Sequence, residues 1–205
     1  MTYLTPAQRE KLLPSQQVET ISLADFLTSR RAKKGKPASK KKAIPKVVQT
    51  FFQGRCELNK SKINIGIDPD REKSGIAVWK RAEGNTKGYY LCLKTMTFFP
   101  LLRYVEGAYS PDTTVIYLEA GWLNRKKNFH KDRGERRREK IAADVGANHE
   151  VGKKLLEGLL ELSYTVVLMR PQTEKWDAEQ FMLYTGLNYG FNEEIRDSAK
   201  YVFNS

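Results

Sequence analysis

The chain has few of the residues that build disulfide scaffolds and soft metal sites. Its 205 residues include two cysteines, Cys56 and Cys92, and two histidines. The cysteines stand far apart and match no zinc spacing. Buried or free thiols in a reducing compartment fit them better. Long apolar runs are missing too: no stretch of 18 apolar residues occurs, so no membrane-spanning helix and no membrane partner are expected. The N-terminus lacks the apolar core of a secretory leader, and the expected location is the cytoplasm. No Ser/His/Asp or Cys/His arrangement offers a convincing nucleophile and base.

Positive charge, by contrast, is in excess. The formal net charge is +12, and it is unevenly spread. Residues 1–62 hold 14 Lys and Arg against 4 Asp and Glu, whereas residues 63–205 hold 22 against 20. Residues 1–61 therefore read as a basic, largely flexible arm. Two short helices are possible there, at "TPAQREKLL" and "SLADFLTSRR", followed by a Lys-, Pro- and Gly-rich run over 30–46. Such an arm suits a polyanion, nucleic acid being the commonest; a solvated tail is the plainer alternative.

From residue 62 the pattern becomes that of a packed domain, 62–205. Strands are expected over 62–68, 75–81 and 88–94, joined by tight turns, then a helix around Pro100 buried through Phe99, Leu102 and Val105. A strand over 113–120 follows, then a basic loop over 124–140. A long helix over 141–162 carries the stripe Val145, Gly152, Leu155, Leu156, Leu159 and Leu162. The apolar "YTVVLM" is a fifth strand, and helices over 174–184 and 193–203 complete the chain, the last capped by Asn192. Tight turns make the first three strands an antiparallel meander, and crossover helices make the later ones parallel. The fold class is α/β: a mixed five-stranded sheet flanked by helices.

Acids sit at telling places on this scaffold. Asp68 ends the first strand and Glu119 the fourth, so their carboxylates can lie side by side at one sheet edge. Neighbouring carboxylates repel unless a cation lies between them. In "NEEIRDSAK", Glu194 and Asp197 share a helix face, and Glu193 is spaced to join them. Taken singly, each has an ordinary role: Asp forms turns, and acids complement a helix N-terminus.

Together, "INIGIDPDREKSGIAVWK", "TVIYLEAGW", "RPQTEKW" and "TGLNYGFNEEIRDSA" resemble the successive blocks of the RuvC-like Holliday junction resolvases, within the RNase H-like (retroviral-integrase-like) superfamily. The resemblance spans about residues 62–203 and leaves the arm without a counterpart. It implies an RNase H-like nuclease domain. Asp68, Glu119, Glu194 and Asp197 then become catalytic metal ligands for two Mg²⁺ ions, with Mn²⁺ able to substitute, and Lys175 the lysine near the scissile phosphate. Three positions depart from the family pattern: Asp70 replaces the usual Gly after Asp-Pro, Glu194 replaces Asp or His, and Ser198 replaces Ala. Between Glu193 and Glu194 the choice of ligand stays open.

The stretch "NRKKNFHKDRGERRREK" follows Glu119 closely. Its Arg125, Lys126, Lys127, Lys131, Arg133, Arg136, Arg137 and Arg138 suit backbone phosphates. Trp122 and Phe129 could stack on bases or wedge into a junction, and Trp122 could equally cap the core. His130 suits a phosphate contact or solvent, and His149 a helix surface. The implied function is a metal-dependent endonuclease that cleaves branched DNA as a homodimer. A non-catalytic nucleic-acid-binding protein and a nuclease of RNA–DNA hybrids are the alternatives.

Overall fold

The computed structural model describes residues 18–20, 49–124, 135–171, 174–188 and 190–205. Among them run seven strands: β1 (Val18–Thr20), β2 (Gln49–Phe52), β3 (Ile63–Asp68), β4 (Ser74–Lys80), β5 (Tyr89–Met96), β6 (Thr114–Glu119) and β7 (Thr165–Met169). Four α-helices accompany them: α1 (Phe98–Ala108), α2 (Glu135–Glu161), α3 (Ala178–Thr185) and α4 (Glu193–Val202). All strands join one sheet, in the order β1-β2-β7-β6-β3-β4-β5. β3, β4 and β5 form the antiparallel meander, and β6 and β7 lie parallel beside β3. These five strands have the order and directions of an RNase H-like sheet.

The two further strands come from the segment expected to be an arm. β2 pairs antiparallel with β7, and β1 lies parallel to β2. Phe51, Phe52 and Cys56 are buried. Gly54 donates its N–H to Thr165 Oγ1 at 2.9 Å, and Arg55 donates to the Ser163 carbonyl at 3.1 Å. A boundary at residue 62 is therefore too late. The aromatic and β-branched "QTFF" reads as strand, but the lysine-rich run just before it obscures the signal. The two short helices and the 30–46 run lie outside the described residues.

Side chains alternate cleanly across the sheet. Ile65, Ile67, Ile76, Val78, Ile116, Leu118, Val166 and Leu168 point to one face, where Leu101 and Val105 of α1 and Leu155 and Leu159 of α2 cover them. Each such burial contributes about 1.5–3 kcal/mol before entropy is charged against it. Helix α1 is rotated slightly from expectation: Leu101 and Val105 are buried, whereas Phe99 is exposed. Helix α2 starts at Glu135, so Arg136, Arg137 and Arg138 belong to a helix and not to a loop. Arg, Glu and Lys are good helix formers, and a run of charge alone does not mark a loop. Helix α3 starts later than expected because Asp177 caps it, accepting from the Gln180 N–H in a reciprocal capping box.

The opposite face carries α4. Asn192 caps this helix as expected, accepting from the Ile195 N–H at 3.1 Å. Two strand glycines let α4 sit directly on the backbone. A Cβ on Gly75 would lie 2.1 Å from the Glu194 carbonyl oxygen, and one on Gly66 would lie 2.0 Å from that of Ser198. Glycine inside a strand often marks such a close approach. The helix runs antiparallel to β3, with its N-terminus at the Asp68 end.

Candidate active site

β3 and β6 are in register through Ile67 and Leu118, so the next residues, Asp68 and Glu119, leave adjacent strand ends on the α4 side. Asp197 reaches them from α4 and is 7% exposed. Three carboxylates thus meet where the sheet ends and the helix begins. Burial pushes the Asp68 carboxyl up to about 9, with Glu119, Asp197 and Glu194 adding repulsion and Lys175 offsetting part of it. Glu119 is raised as well, by burial first and by Asp197, against a hydrogen bond from Tyr201. Glu194 acts on Asp68, whereas exposed Glu193 pairs with Lys175, which holds its carboxyl below the ordinary range.

Lys175 lies in the segment between β7 and α3. Its ammonium contacts Asp197 Oδ2 at 2.7 Å and also Glu193. Burial works against that charge, but the hydrogen bonds it donates to Asp197 and Glu193 outweigh it and hold the ammonium above its usual range. Tyr201, one turn after Asp197, donates its hydroxyl to Glu119 Oε2. Glu119, Asp197, Lys175, Lys200, Tyr201 and Pro171 line a cleft of about 140 Å³. Lys200 caps the Glu174 carbonyl and lies over the Trp176 ring at 5.7 Å.

The turn after Asp68 explains the residue that departs from the family pattern. Asp70 Oδ1 accepts from the Glu72 N–H at 2.8 Å, a side-chain-made turn. Its other oxygen accepts from Asn148 of α2 at 3.1 Å. Arg71 donates its N–H to Asn148 Oδ1 and its guanidinium to Asp144, at 3.0 and 2.6 Å. A glycine would shape the turn; Asp70 shapes it and also ties it to α2.

Asp68, Glu119, Glu194 and Asp197 are the side chains here able to hold a hard cation, since they are oxygen donors gathered at one sheet end. Among the described residues no group of three or more acidic, imidazole or thiol side chains is arranged to hold a metal ion as it stands. Lys175 and Tyr201 instead hold oxygens of Asp197 and Glu119. The donors fit such an ion in kind: hard, partly buried, mutually repelling, and compensated by a lysine.

Of the expected nucleic-acid contacts, Arg125, Lys126, Lys127, Phe129, Lys131 and Arg133 lie outside the described residues, as does His130. Trp122 is half-buried against the aliphatic core, and a Cβ on Gly152 of α2 would meet its ring at 2.5 Å. This packing fits the core-capping alternative. His149 lies under the turn after Glu119, near Gly121, where burial lowers its pKa. Tyr201, Gly66 and Gly75 escaped the sequence reading. The two glycines carried a readable signal, being glycines inside otherwise apolar strands.

No family model matches the chain, and no curated protein matches it in sequence. Among solved structures it is similar to T. thermophilus RuvC in complex with a Holliday junction substrate, at 14% identity and a TM-score of 0.41, covering 70% of this chain and 96% of that one. It is also similar to a further Thermus thermophilus RuvC structure, at 15% identity and a TM-score of 0.39, covering 69% and 92%. Likeness this distant adds nothing to what strand order and direction already show: the fold is RNase H-like.

Proposed function

We propose that the chain is a metal-dependent endonuclease acting on branched DNA such as four-way junctions, and that it works as a homodimer. One observation carries this reading: Asp68, Glu119 and Asp197 converge at the end of two parallel strands, with Asp68 driven up to about 9. A merely structural site would not gather buried like charges, which cost stability unless something compensates them. Perturbed carboxylates beside a cleft are a mark of function.

In this reading Asp68, Glu119, Asp197 and Glu194 hold two Mg²⁺ ions, or Mn²⁺ in their place. Bound there, such ions would supply the positive charge that offsets a phosphodiester and would acidify a water. The chain's own residues do the rest. Glu194 is preferred to Glu193 as ligand, because Glu193 is exposed and engaged with Lys175. Lys175 neutralises Asp197 and stands at the cleft wall, where its ammonium can meet a phosphate oxygen as a point charge. The basic stretch from Arg125 to Arg138 and the lysine-rich segment before β2 supply phosphate contacts that fix position without reading sequence.

The test is cleavage of a synthetic four-way junction with Mg²⁺, beside linear duplex and RNA–DNA hybrid. Junction cleavage that disappears with EDTA supports the proposal. Preferential cutting of the hybrid would move the substrate class. Tight junction binding with no cleavage in Mg²⁺ or Mn²⁺ would reduce the protein to a binding module.

A further inference from the structure

We infer that Tyr201 is a positioning residue for the metal-binding carboxylates, acting through Glu119; this rests on the metal-dependent reading above. The side chain is 7% exposed, and its hydroxyl donates to Glu119 Oε2. A buried hydroxyl is costly unless paired, so packing alone would favour phenylalanine at this place. The pairing partner is a carboxylate at the strand tip, itself beside Asp68. Holding Oε2 fixes the plane of the Glu119 carboxylate and with it the direction of Oε1.

The placement of Tyr201 gives this hydrogen bond its reach. Tyr201 follows Asp197 by four residues, so both project from the same face of α4. Both line the cleft with Lys175 and Lys200. The helix itself is seated on Gly66 and Gly75, whose missing side chains set its height above the sheet. One rigid element therefore supplies Asp197 directly and sets the orientation of Glu119 from one turn away. Ligand carboxylates held by such outer partners typically lose 10–100-fold in metal affinity when the partner is removed.

The experiment uses the full chain and Mn²⁺ itself as the probe, with binding read by calorimetry and by the electron spin resonance of free Mn²⁺. Wild type, Tyr201→Phe, Glu119→Gln, the double variant and Asp68→Asn are compared. Tyr201→Phe keeps the ring, and its melting temperature should stay within a few degrees of wild type. Its Mn²⁺ affinity should fall about 10–100-fold. In the Glu119→Gln background the same change should cost less than about twofold, because the group it acts through is already altered. Cleavage by Tyr201→Phe should recover substantially at high Mn²⁺. Unchanged Mn²⁺ affinity in Tyr201→Phe overturns the inference while wild type binds and Asp68→Asn does not. Equal losses in both backgrounds overturn it too, since they mark a general packing role. Wild type that fails to bind Mn²⁺ overturns the metal-dependent reading and this inference with it.

Discussion

The two faces of the sheet are made by the same strands, one residue out of step, and they are built for different ends. Ile65 and Ile67 of β3, and Ile116 and Leu118 of β6, meet the aliphatic side chains of α1 and α2. Asn64, Gly66 and Asp68, with Tyr117 and Glu119, face α4 instead. The first face buries branched aliphatics and holds the fold together. The second packs Ala77 and Trp79 against Ala199 and Val202 of α4, and it also accepts glycine, asparagine and the carboxylates of Asp68 and Glu119 beside Asp197 of α4. Under the proposed function, chemistry would belong to the second face alone, and changes on the two faces should have different signatures.

Asp68→Asn should give the largest effect. Cleavage should fall by about a thousandfold or more, a loss of roughly 4 kcal/mol of barrier lowering, while junction binding persists. Its stability should move the other way. In the folded protein Asp68 keeps its proton up to about 9, whereas unfolded Asp releases it near about 4. The native state binds the extra proton, so wild-type stability falls as pH rises through that interval. Asparagine has no such proton to lose. In EDTA, the melting temperature of Asp68→Asn should exceed that of wild type by a few degrees near pH 9, and by less near pH 5. A lower melting temperature across that range would show that the acid face does not cost stability.

On the other face, Leu118→Ala should cost about 2–5 kcal/mol in urea unfolding. The rate per folded molecule should stay near wild type, although Leu118 immediately precedes Glu119. A lost rate at full folding would erase the division between faces.

Gly66→Ala lies between these extremes. Its Cβ would fall 2.0 Å from the Ser198 carbonyl, so α4 must move. About 1–3 kcal/mol of stability should go through overpacking. Cleavage should fall by about tenfold to a hundredfold, as Asp197 is carried off with the helix. Stability lost without any rate loss would mean that the seat of α4 does not set the site.

The smallest contrast is within one turn of α4. Glu194→Gln should reduce cleavage by about tenfold more than Glu193→Gln, a difference of about 1.4 kcal/mol. The reverse order in single-turnover assays would move the ligand to Glu193.

The strand tips were legible in the sequence because alternation and turn chemistry are local. "KINIGID" announces both its buried face and its end, and "TVIYLE" does the same. Asp197 was legible because a spacing of three residues on a helix places side chains together. The height of α4 above the sheet was not, since it depends on which glycine meets which carbonyl across more than a hundred residues. Tyr201 was missed for a related reason: a tyrosine at helical spacing reads as core until its hydroxyl finds Glu119. The role of Asp70 was hidden as well, because its second oxygen is satisfied by Asn148, far along the chain. β2 was masked by the lysines that precede it, which dominate any composition-based reading of that region.

The pairing of β2 with β7 also has a meaning for the timing of synthesis. Gly54 and Thr165, which hydrogen-bond at the end of this pair, are 111 residues apart. A ribosome adding about 5–20 residues per second delivers the second roughly 5–20 s after the first. During that interval β2 can pair with β1, already made, but its β7 edge stays open beside a strongly basic stretch of chain. Closure of that edge therefore waits for the emergence of Val166 and Val167.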